Sequence, residues 1–347
     1  MEKALHIQKA VKEILEGNTV NLVGGSVRDI VLGNEPKDYD FNTPLDPETV
    51  EALVKKAGRR AYSTGKRFGT IGFKIPLSQY RTMLEDGSYS ELQDSKINFE
   101  YVEVTTYRQE SYDGNSRKPS VEFVDDLKED LARRDLTINA MVLNDDGTIY
   151  DPFGGKLDIL ARQIKTVGLP KDRFNEDPLR MLRVARFASQ LDFGVDPNAV
   201  GKIRHLGPSI YRVSKERWVT ELDKLLMGKN PMRGIKVLMQ SQLMTYVLPE
   251  VALVLQDDEA YQELASVLND KTLDLSLNDC WAALVRFIGY PFTARQDSKG
   301  NVTFKHNEAV RKELLEGICE RLRFSNERKE HLLSGRLNLS VKSIDKK

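Results

Sequence analysis

The sequence predicts an α+β fold, with its two kinds of structure segregated along the chain. Up to about residue 150, short β-prone segments alternate with helical ones. From about residue 156, helical periodicity dominates and strand candidates become rare. At 347 residues the chain is also too long for one small core, which points to two or three domains.

The elements follow in order. Residues 2–16 space Leu5, Ile7, Val11, Ile14 and Leu15 near the period of a helix, and Gly17 can stop it. "TVNLVGG" (19–25) reads as a short buried strand running into a glycine turn. "SVRDIVLG" (26–33) reads as a helix with Ser26 near its start and Gly33 past its end. "YDFNT" is short, alternating and aromatic-flanked, a strand pattern. "DPETVEALVKKAG" (46–58) is a capped helix with Pro47 in its first turn. "GTIGFKIPL" (69–77) and "INFEYVEVTTYR" (97–108) are further strands, joined by a polar connection over 78–96. "QESYDGNSRKPS" (109–120) is the expected loose segment. "DLKEDLARRDLTINAMVL" (126–143) starts helical and turns β-prone, followed by the turn "NDDG" and the strand "TIYDPFGG".

Composition is that of a soluble globular chain, with mean hydropathy −0.45. Lys+Arg and Asp+Glu are 52 each, so net charge gives no support for a nucleic-acid partner and local clustering must carry that argument. Residues 162–217 hold 12 Lys/Arg against 6 Asp/Glu, which fits a phosphate-contacting patch and equally a solvated helical surface. Cys280 and Cys319 give no disulfide framework and no zinc spacing, and suit a reducing cytoplasm. Four scattered histidines make a histidine metal site or a Ser-His-Asp triad unexpected. The first residues read as a charged amphipathic segment rather than a signal peptide, and no apolar run approaches a membrane span.

Chemistry concentrates around "VGGSVRDIVLG" and "KDYDFNTP". A strand ending in Gly24 and Gly25 before a helix lets backbone N–H groups approach an anion, although a tight turn without a ligand has the same pattern. Arg28, one turn into that helix, can extend its fork to phosphate oxygens or lie solvated. Asp38 and Asp40 are two apart, so on a strand they share one face. Two adjacent carboxylates repel unless a cation sits between them, and Mg²⁺ takes one or two carboxylates together with substrate phosphates. Alone, the triplet is also compatible with solvated acids near a turn. Glu103 alternates with Val102 and Val104, so it faces either this site or solvent. A phosphate-cradling turn followed by paired carboxylates describes nucleotidyl or phosphoryl transfer, with a pair of metals activating a hydroxyl and stabilising pyrophosphate.

"GGSVRDIVLGNEPKDYDFNT" resembles the signature of the class II CCA-adding enzymes and bacterial poly(A) polymerases, within the polymerase-β-like nucleotidyltransferases. Further matches come in the right order: "RRDLTINAM" (133–141), "YDPFGGKLDI" (150–159), "EDPLRMLRVARFASQLDF" (176–193) and "ERWVTELDKLL" (216–226). The resemblance implies a polymerase-β-like head with a small mixed sheet over 1–150. It implies an all-α neck with the nucleotide-selecting helix over 151–230, and a helical body and tail over 231–347 that grips tRNA.

The resemblance also implies roles. Asp38 and Asp40 hold Mg²⁺, two ions during catalysis, with Glu103 as the third carboxylate. Gly24, Gly25, Arg28 and Arg134 contact the nucleotide, and Arg183 and Arg186 help hold it. Asp135 is structural or supporting. Asp177, Arg180, Arg183 and Arg186 are spaced by three, which predicts a row on one side of a helix. By resemblance Asp177 and Arg180 select the base. A carboxylate accepts from the amino group of cytosine or adenine while a guanidinium donates to the ring nitrogen; guanine and uracil reverse that pattern. Each unpaired polar group in a dry pocket costs roughly 1–3 kcal/mol. The implied reaction is template-independent addition of CCA to the tRNA acceptor arm from CTP and ATP, with no membrane and no obligate protein partner.

Poly(A) addition, or partial CC or A addition, is the alternative within the family. "TGKRFGTIGFKI" stands where the poly(A) polymerases carry a basic phrase, and "FGTI" is closer to the CCA-adding type. The segment 109–120, with "RKP" resembling the family's R-x-P, favours full CCA addition, whereas the insertion around 78–96 departs from the usual spacing. A catalytically dead RNA-binding protein would be expected to lose these carboxylates. A small-molecule nucleotidyltransferase would lack the helix at 176–186.

Overall fold

The computed structural model describes residues 1–76, 82–83, 89–90, 99–111, 120–296, 298, 302–304 and 306–335. Most of the connection at 78–96, and residues 112–119 of the expected loose segment, lie outside these described residues. The chain forms two compact units, residues 1–161 with 165–168, and residues 162–164 with 169–347. No described helix is long and apolar enough to cross a membrane.

The first unit is built on a mixed sheet. Its elements are α1 (Glu2–Ile14), β1 (Asn21–Val23), α2 (Gly25–Val31), β2 (Tyr39–Thr43), α3 (Pro47–Lys56), β3 (Thr70–Pro76), β4 (Thr82–Met83), β5 (Tyr89–Ser90), β6 (Phe99–Thr106), β7 (Arg108–Ser111), β8 (Ser120–Phe123), α4 (Leu127–Ala132), β9 (Val142–Leu143), β10 (Ile149–Tyr150) and α5 (Gly155–Leu160). Six strands run in the order β10-β9-β1-β2-β6-β3. Within that sheet β2 and β6 pair in parallel and the other neighbours pair antiparallel. The short β4–β5 and β7–β8 pairs stand apart from it.

The two faces of this sheet differ. Tyr39, Phe41, Ile71, Phe73, Val102 and Val104 are buried on one face, where α1 and α3 pack. Burying such residues contributes about 1.5–3 kcal/mol each before entropy is counted. On the opposite face Val23 and Val142 pack with Leu131, Leu127 and Phe153, so α4 covers the β1–β9 end. That leaves the β2–β6–β3 end of the same face as the place where polar side chains emerge.

Several elements are shorter than their sequence patterns, each for a local reason. The helix after the glycines starts at Gly25, with Gly24 as its N-cap, so Ser26 lies inside its first turn. The strand at 97–108 ends at Thr106, just before the last bond to β2, where the Tyr107 amide donates to Thr43 O (2.8 Å), and the chain then enters the β7–β8 pair. Of "TIYDPFGG", Ile149 and Tyr150 alone pair as a strand. The Asp151 carboxylate turns back to accept from the amides of Gly155 and Lys156, both at 2.8 Å, and starts α5.

The second unit is largely helical. It holds β11 (Gln163–Ile164), α6 (Pro170–Glu176), α7 (Leu179–Leu191), β12 (Gly194–Val195), α8 (Pro197–Leu206), α9 (Lys215–Leu226), α10 (Pro231–Gln240), α11 (Met244–Val247), α12 (Pro249–Val254), α13 (Asp258–Leu268), α14 (Leu277–Leu284), α15 (Tyr290–Thr293), β13 (Ala294–Gln296), β14 (Val302–Phe304), α16 (Asn307–Leu322) and α17 (Asn326–Leu333). Helix α7 is central: α9 and α10 pack on it, and Met181, Leu182, Val184, Ala185 and Ala188 are buried. Farther along, Trp218 and Trp281 are fully buried. The Trp281 indole donates to Asp223 (2.6 Å), which also takes both ends of the Arg328 fork at 3.0 Å. That shared carboxylate ties α9, α14 and α17 together.

Candidate active site

Pleating sets the first half of the site. Tyr39 and Phe41 point into the core, so Asp40 and Asn42 belong to the opposite face, and Asp38 lies in the bend just before the strand. In the parallel β2–β6 register Asp40 lies beside Glu103, and in the β3–β6 register Glu103 lies beside Gly72. Asp40 and Glu103 are thus neighbouring acids of one sheet face, and the Asp38 charge is near enough to act on Asp40. The register puts Glu103 on the face of Asp40, whereas Asp38 lies in the bend that precedes β2 and not on the strand itself.

The acids are not neutralised by the protein. Among the described residues, none of the three forms an ion pair; Glu103 accepts a hydrogen bond from the Tyr101 hydroxyl at 3.3 Å. The Asp40 carboxyl is accessible yet hemmed in. Loss of hydration pushes its pKa above the ordinary value, Glu103 and Asp38 add to the rise, and Arg134 opposes it. The described residues include no group of three or more His, Cys, Asp or Glu disposed as a ready metal site. The arrangement suits a cation that takes one or two carboxylates and completes its shell from substrate and water.

Beside the acids the two glycines are bracketed by guanidinium groups. Gly24 has φ +76°, a left-handed conformation that glycine adopts without strain, and a Cβ there would meet Arg134 Nη1 at 3.0 Å. A Cβ on Gly25 would lie 3.5 Å from Arg28 Nη2. The glycines therefore let two arginine forks close on the turn. Arg28 donates to Asp29 (2.7 and 2.9 Å) and to Asn139 Oδ1 (2.8 Å). Asn139 in turn donates to Asp135 at 3.3 Å, so Asp135 supports Arg28 through one intermediate.

Sequence reasoning missed the groups that hold this turn. Asp130 is fully buried and accepts from Asn42 (3.0 Å), Arg133 (2.7 and 3.0 Å) and Arg134 (3.4 Å). Burial alone would raise its pKa, but Arg134 and Arg133 outweigh that and hold it below the ordinary value. Burial conversely pulls the Arg134 pKa down, against Asp130 and Asp40. The helical spacing of Asp130, Arg133 and Arg134 was the available signal. Ser26 is expected near the helix start and lies in its first turn, with Gly24 as the cap. The Ser26 hydroxyl donates to Asp38 O (2.9 Å) and accepts from the Asp40 amide (3.4 Å), stitching α2 to the acids.

The second unit carries the other predicted residues, and here the expected row is broken. Asp177 is not on the helix: it has extended backbone between α6 and α7, and Pro178 caps α7. Its carboxylate accepts from the Leu179 amide (3.0 Å) and from Arg217 on α9 (2.7 Å). Arg180, Arg183 and Arg186 lie along α7. Arg180 is 8% exposed and donates to Glu176 Oε2 at 2.6 Å, and the same glutamate pairs with Arg173. Arg186 is equally buried, pairs with Glu221 at 3.0 Å and lies 4.1 Å over the Phe187 ring. Arg183 is half-buried, 5.5 Å from the same ring. Glu176, Arg217 and Glu221 are the partners that sequence reasoning did not assign. All three lay inside quoted motifs, but nothing in spacing alone said which acid would take which fork.

Comparison with known proteins agrees with this geometry. Residues 20–165 match the poly A polymerase head domain, and residues 192–255 match the probable RNA and SrmB-binding site of polymerase A. Together the two matches cover more than half of the chain. The chain is 39% identical over 288 residues to the CCA-adding enzyme of Bacillus pumilus, covering 79% of this chain and 60% of that protein. It is 36% identical over 285 residues to the CCA-adding enzyme of Ligilactobacillus salivarius, covering 82% and 62%. The chain thus spans about three fifths of the length of these curated relatives. Among solved structures, the Bacillus stearothermophilus CCA-adding enzyme in complex with CTP matches at 27% identity and TM-score 0.57, covering 96% of this chain and 81% of that one. The Thermotoga maritima CCA-adding enzyme complexed with tRNA, at 20% identity and TM-score 0.56, shares the fold. The paired acids beside a glycine turn thus lie within the stretch matched by the head domain, and the chain belongs to the tRNA nucleotidyltransferase/poly(A) polymerase family.

Proposed function

We propose that this chain adds CCA to the 3′ end of tRNA, without a nucleic-acid template, from CTP and ATP. The observation that carries the reading is the Asp40–Glu103 register: acids on neighbouring strands, with the Asp38 charge acting on Asp40, next to glycines flanked by Arg28 and Arg134. The relatives named as CCA-adding enzymes, and a structural neighbour holding CTP, support this substrate class over poly(A) addition.

The roles follow from charge. Asp38 and Asp40 would hold Mg²⁺, with Glu103 as the third carboxylate. The ions would supply the charge that activates the RNA 3′-hydroxyl and stabilises leaving pyrophosphate. Gly24, Gly25, Arg28 and Arg134 would receive the triphosphate, with Asp130 and Asn139 fixing the two forks. In the second unit Asp177 would accept the exocyclic amino group and Arg180 would donate to the ring nitrogen, with Arg183 and Arg186 helping to hold the nucleotide. The chain would divide into a head (1–150), a neck (151–230) and a body and tail (231–347) that grip the acceptor arm by shape and backbone. Two buried, unpaired cysteines fit a reducing cytoplasm.

The test incubates purified protein with tRNA lacking its 3′ end and with CTP, ATP or both. Extension that stops at CCA is the expected result. A long A-tail from ATP alone, or arrest at CC with both nucleotides present, overturns the reading.

A further inference from the structure

A pocket opens on the same sheet face, on the side of Glu103 away from Asp40. Its volume is about 320 Å³, near the roughly 300 Å³ lower end for small-molecule sites, and its lining includes Tyr62, Phe68, Gly72, Tyr101, Glu103 and Arg108. The sheet register explains why it exists. Glu103 faces Gly72, and Gly72 exchanges both backbone hydrogen bonds with Tyr62 at 2.7 and 3.0 Å. One transverse row therefore runs Asp40, Glu103, Gly72, Tyr62.

Gly72 contributes no side chain to that row, and Tyr101 fills the space. A Cβ on Gly72 would lie 2.0 Å from the Tyr101 hydroxyl oxygen. With the glycine there, the Tyr101 ring leans over β3, its hydroxyl reaches Glu103, and its edge meets Tyr62 with ring centroids 5.9 Å apart at 63°. The Arg60 guanidinium lies over the Tyr62 ring, 5.2 Å from its centroid. Tyr101 is 44% exposed, an aromatic shelf left open beside charged groups.

We propose that this shelf is the subsite for the 3′-terminal nucleoside of the RNA primer, with its base against Tyr101 and Tyr62 and its 3′-hydroxyl toward Asp40. The inference rests on the proposed transfer reaction and names the residues that hold its acceptor. Strands are spaced by about 4.8 Å, so the shelf begins about 10 Å from Asp40, two strand steps across the row. A ribose spans the first step and its base reaches the second. Aromatic faces take any base, which suits a subsite whose occupant changes as the RNA end grows. Tyr101 and Tyr62 are positioning residues here. They hold the acceptor, while the acids act on its hydroxyl.

The test uses tRNA truncated before CCA and carrying 2-aminopurine as its 3′-terminal base, with fluorescence read in the absence of nucleotide. Wild-type protein and Tyr101→Phe should quench the probe, because both keep the ring. Tyr101→Leu and Tyr62→Leu should lose the quench, and Tyr101→Leu should raise KM for RNA roughly tenfold, the size of one lost base stack, with KM for CTP unchanged. Gly72→Ala, which displaces Tyr101 without altering it, should act in the same direction. Circular dichroism of each variant checks folding. Unchanged quenching in folded Tyr101→Leu, or a rise in KM for CTP in place of RNA, overturns the proposal. The quench is read without turnover. Loss of the transfer reaction with quenching intact would therefore count against the proposed function and leave the subsite standing.

Discussion

Asp40 and Glu103 lie side by side on neighbouring strands with no ion pair to either among the described residues, whereas Arg180 and Arg186 enter their helix with Glu176 and Glu221 already on their forks. The first arrangement is unfavourable by itself. Like charges and lost hydration raise the Asp40 pKa, and an added cation relieves both. The second is balanced in advance, as buried guanidinium groups must be, because an unpaired one costs several kcal/mol. The difference separates two kinds of functional group. The acids of the first unit are poised to gain a partner. The arginines of the second are held still, so under the proposed function their contribution would be geometric: a fixed pattern of donors that a base either matches or does not.

The comparison breaks most visibly at Asp40. Asp40→Ala should lower nucleotide transfer on the order of 10³-fold or more, the scale of losing one preorganised charge in an active site. RNA binding, measured by filter retention, should change by less than about twofold, because in the proposed function that binding would be spread over many phosphate contacts. Survival of transfer would show that the open acids are not where the chemistry occurs. The next effect belongs to the balanced side. Arg180→Ala should reduce discrimination against GTP and UTP by about 10²-fold and slow CTP incorporation. Glu176→Gln sharpens the point, since it keeps the fork's partner but weakens its hold. A loss of selectivity of about tenfold is expected, in single-nucleotide incorporation assays with all four triphosphates. Unchanged preference in both variants would remove Arg180 from base selection.

Much of this contrast was legible in the sequence, for physical reasons that differ between the two units. Strand pleating has period two, so Asp40 had to face away from the buried Tyr39 and Phe41 once "YDFNT" formed a strand, while Asp38 falls in the bend before it. The alternation of Glu103 with Val102 and Val104 left it two choices, and strand register alone decided between them. Register is a pairing between segments some sixty residues apart and leaves no local trace. The second unit shows the opposite error. Spacing by three put Asp177 on the same helical row as Arg180, but proline at 178 caps α7, and the residue before a proline is pushed to extended backbone. That breaker was visible, and its consequence is that Asp177 is held by Arg217 from α9 instead of by its own helix. Glu221 was the least legible partner, because it meets Arg186 only when α9 packs on α7, whereas Asp130 and Glu176 stand at helical spacing from their arginines.

The smallest effect is a stability change that tests whether the acids are left unfavourable in the unliganded protein. The folded-state pKa of Asp40 is raised, so the folded chain binds that proton more tightly than the unfolded chain does. Below the ordinary value of 3.8 the group is protonated in both states and carries no penalty. As pH rises through the folded-state pKa, stability is lost, and at pH 7 the penalty is fully in place. Asp40→Asn should therefore raise Tm at pH 7. The group is solvent-accessible and partly screened, so a rise of about 1 °C is expected, corresponding to a few tenths of a kcal/mol in a chain of this length. The gain should shrink as pH falls toward 4. Mg²⁺ should raise Tm of the wild-type protein at pH 7 and do less for Asp40→Asn, because the cation and the substitution relieve the same repulsion. A fall in Tm for Asp40→Asn at pH 7, with no response of the wild type to Mg²⁺, would mean that the carboxylate is already satisfied within the fold, and the contrast between open acids and balanced arginines would not hold.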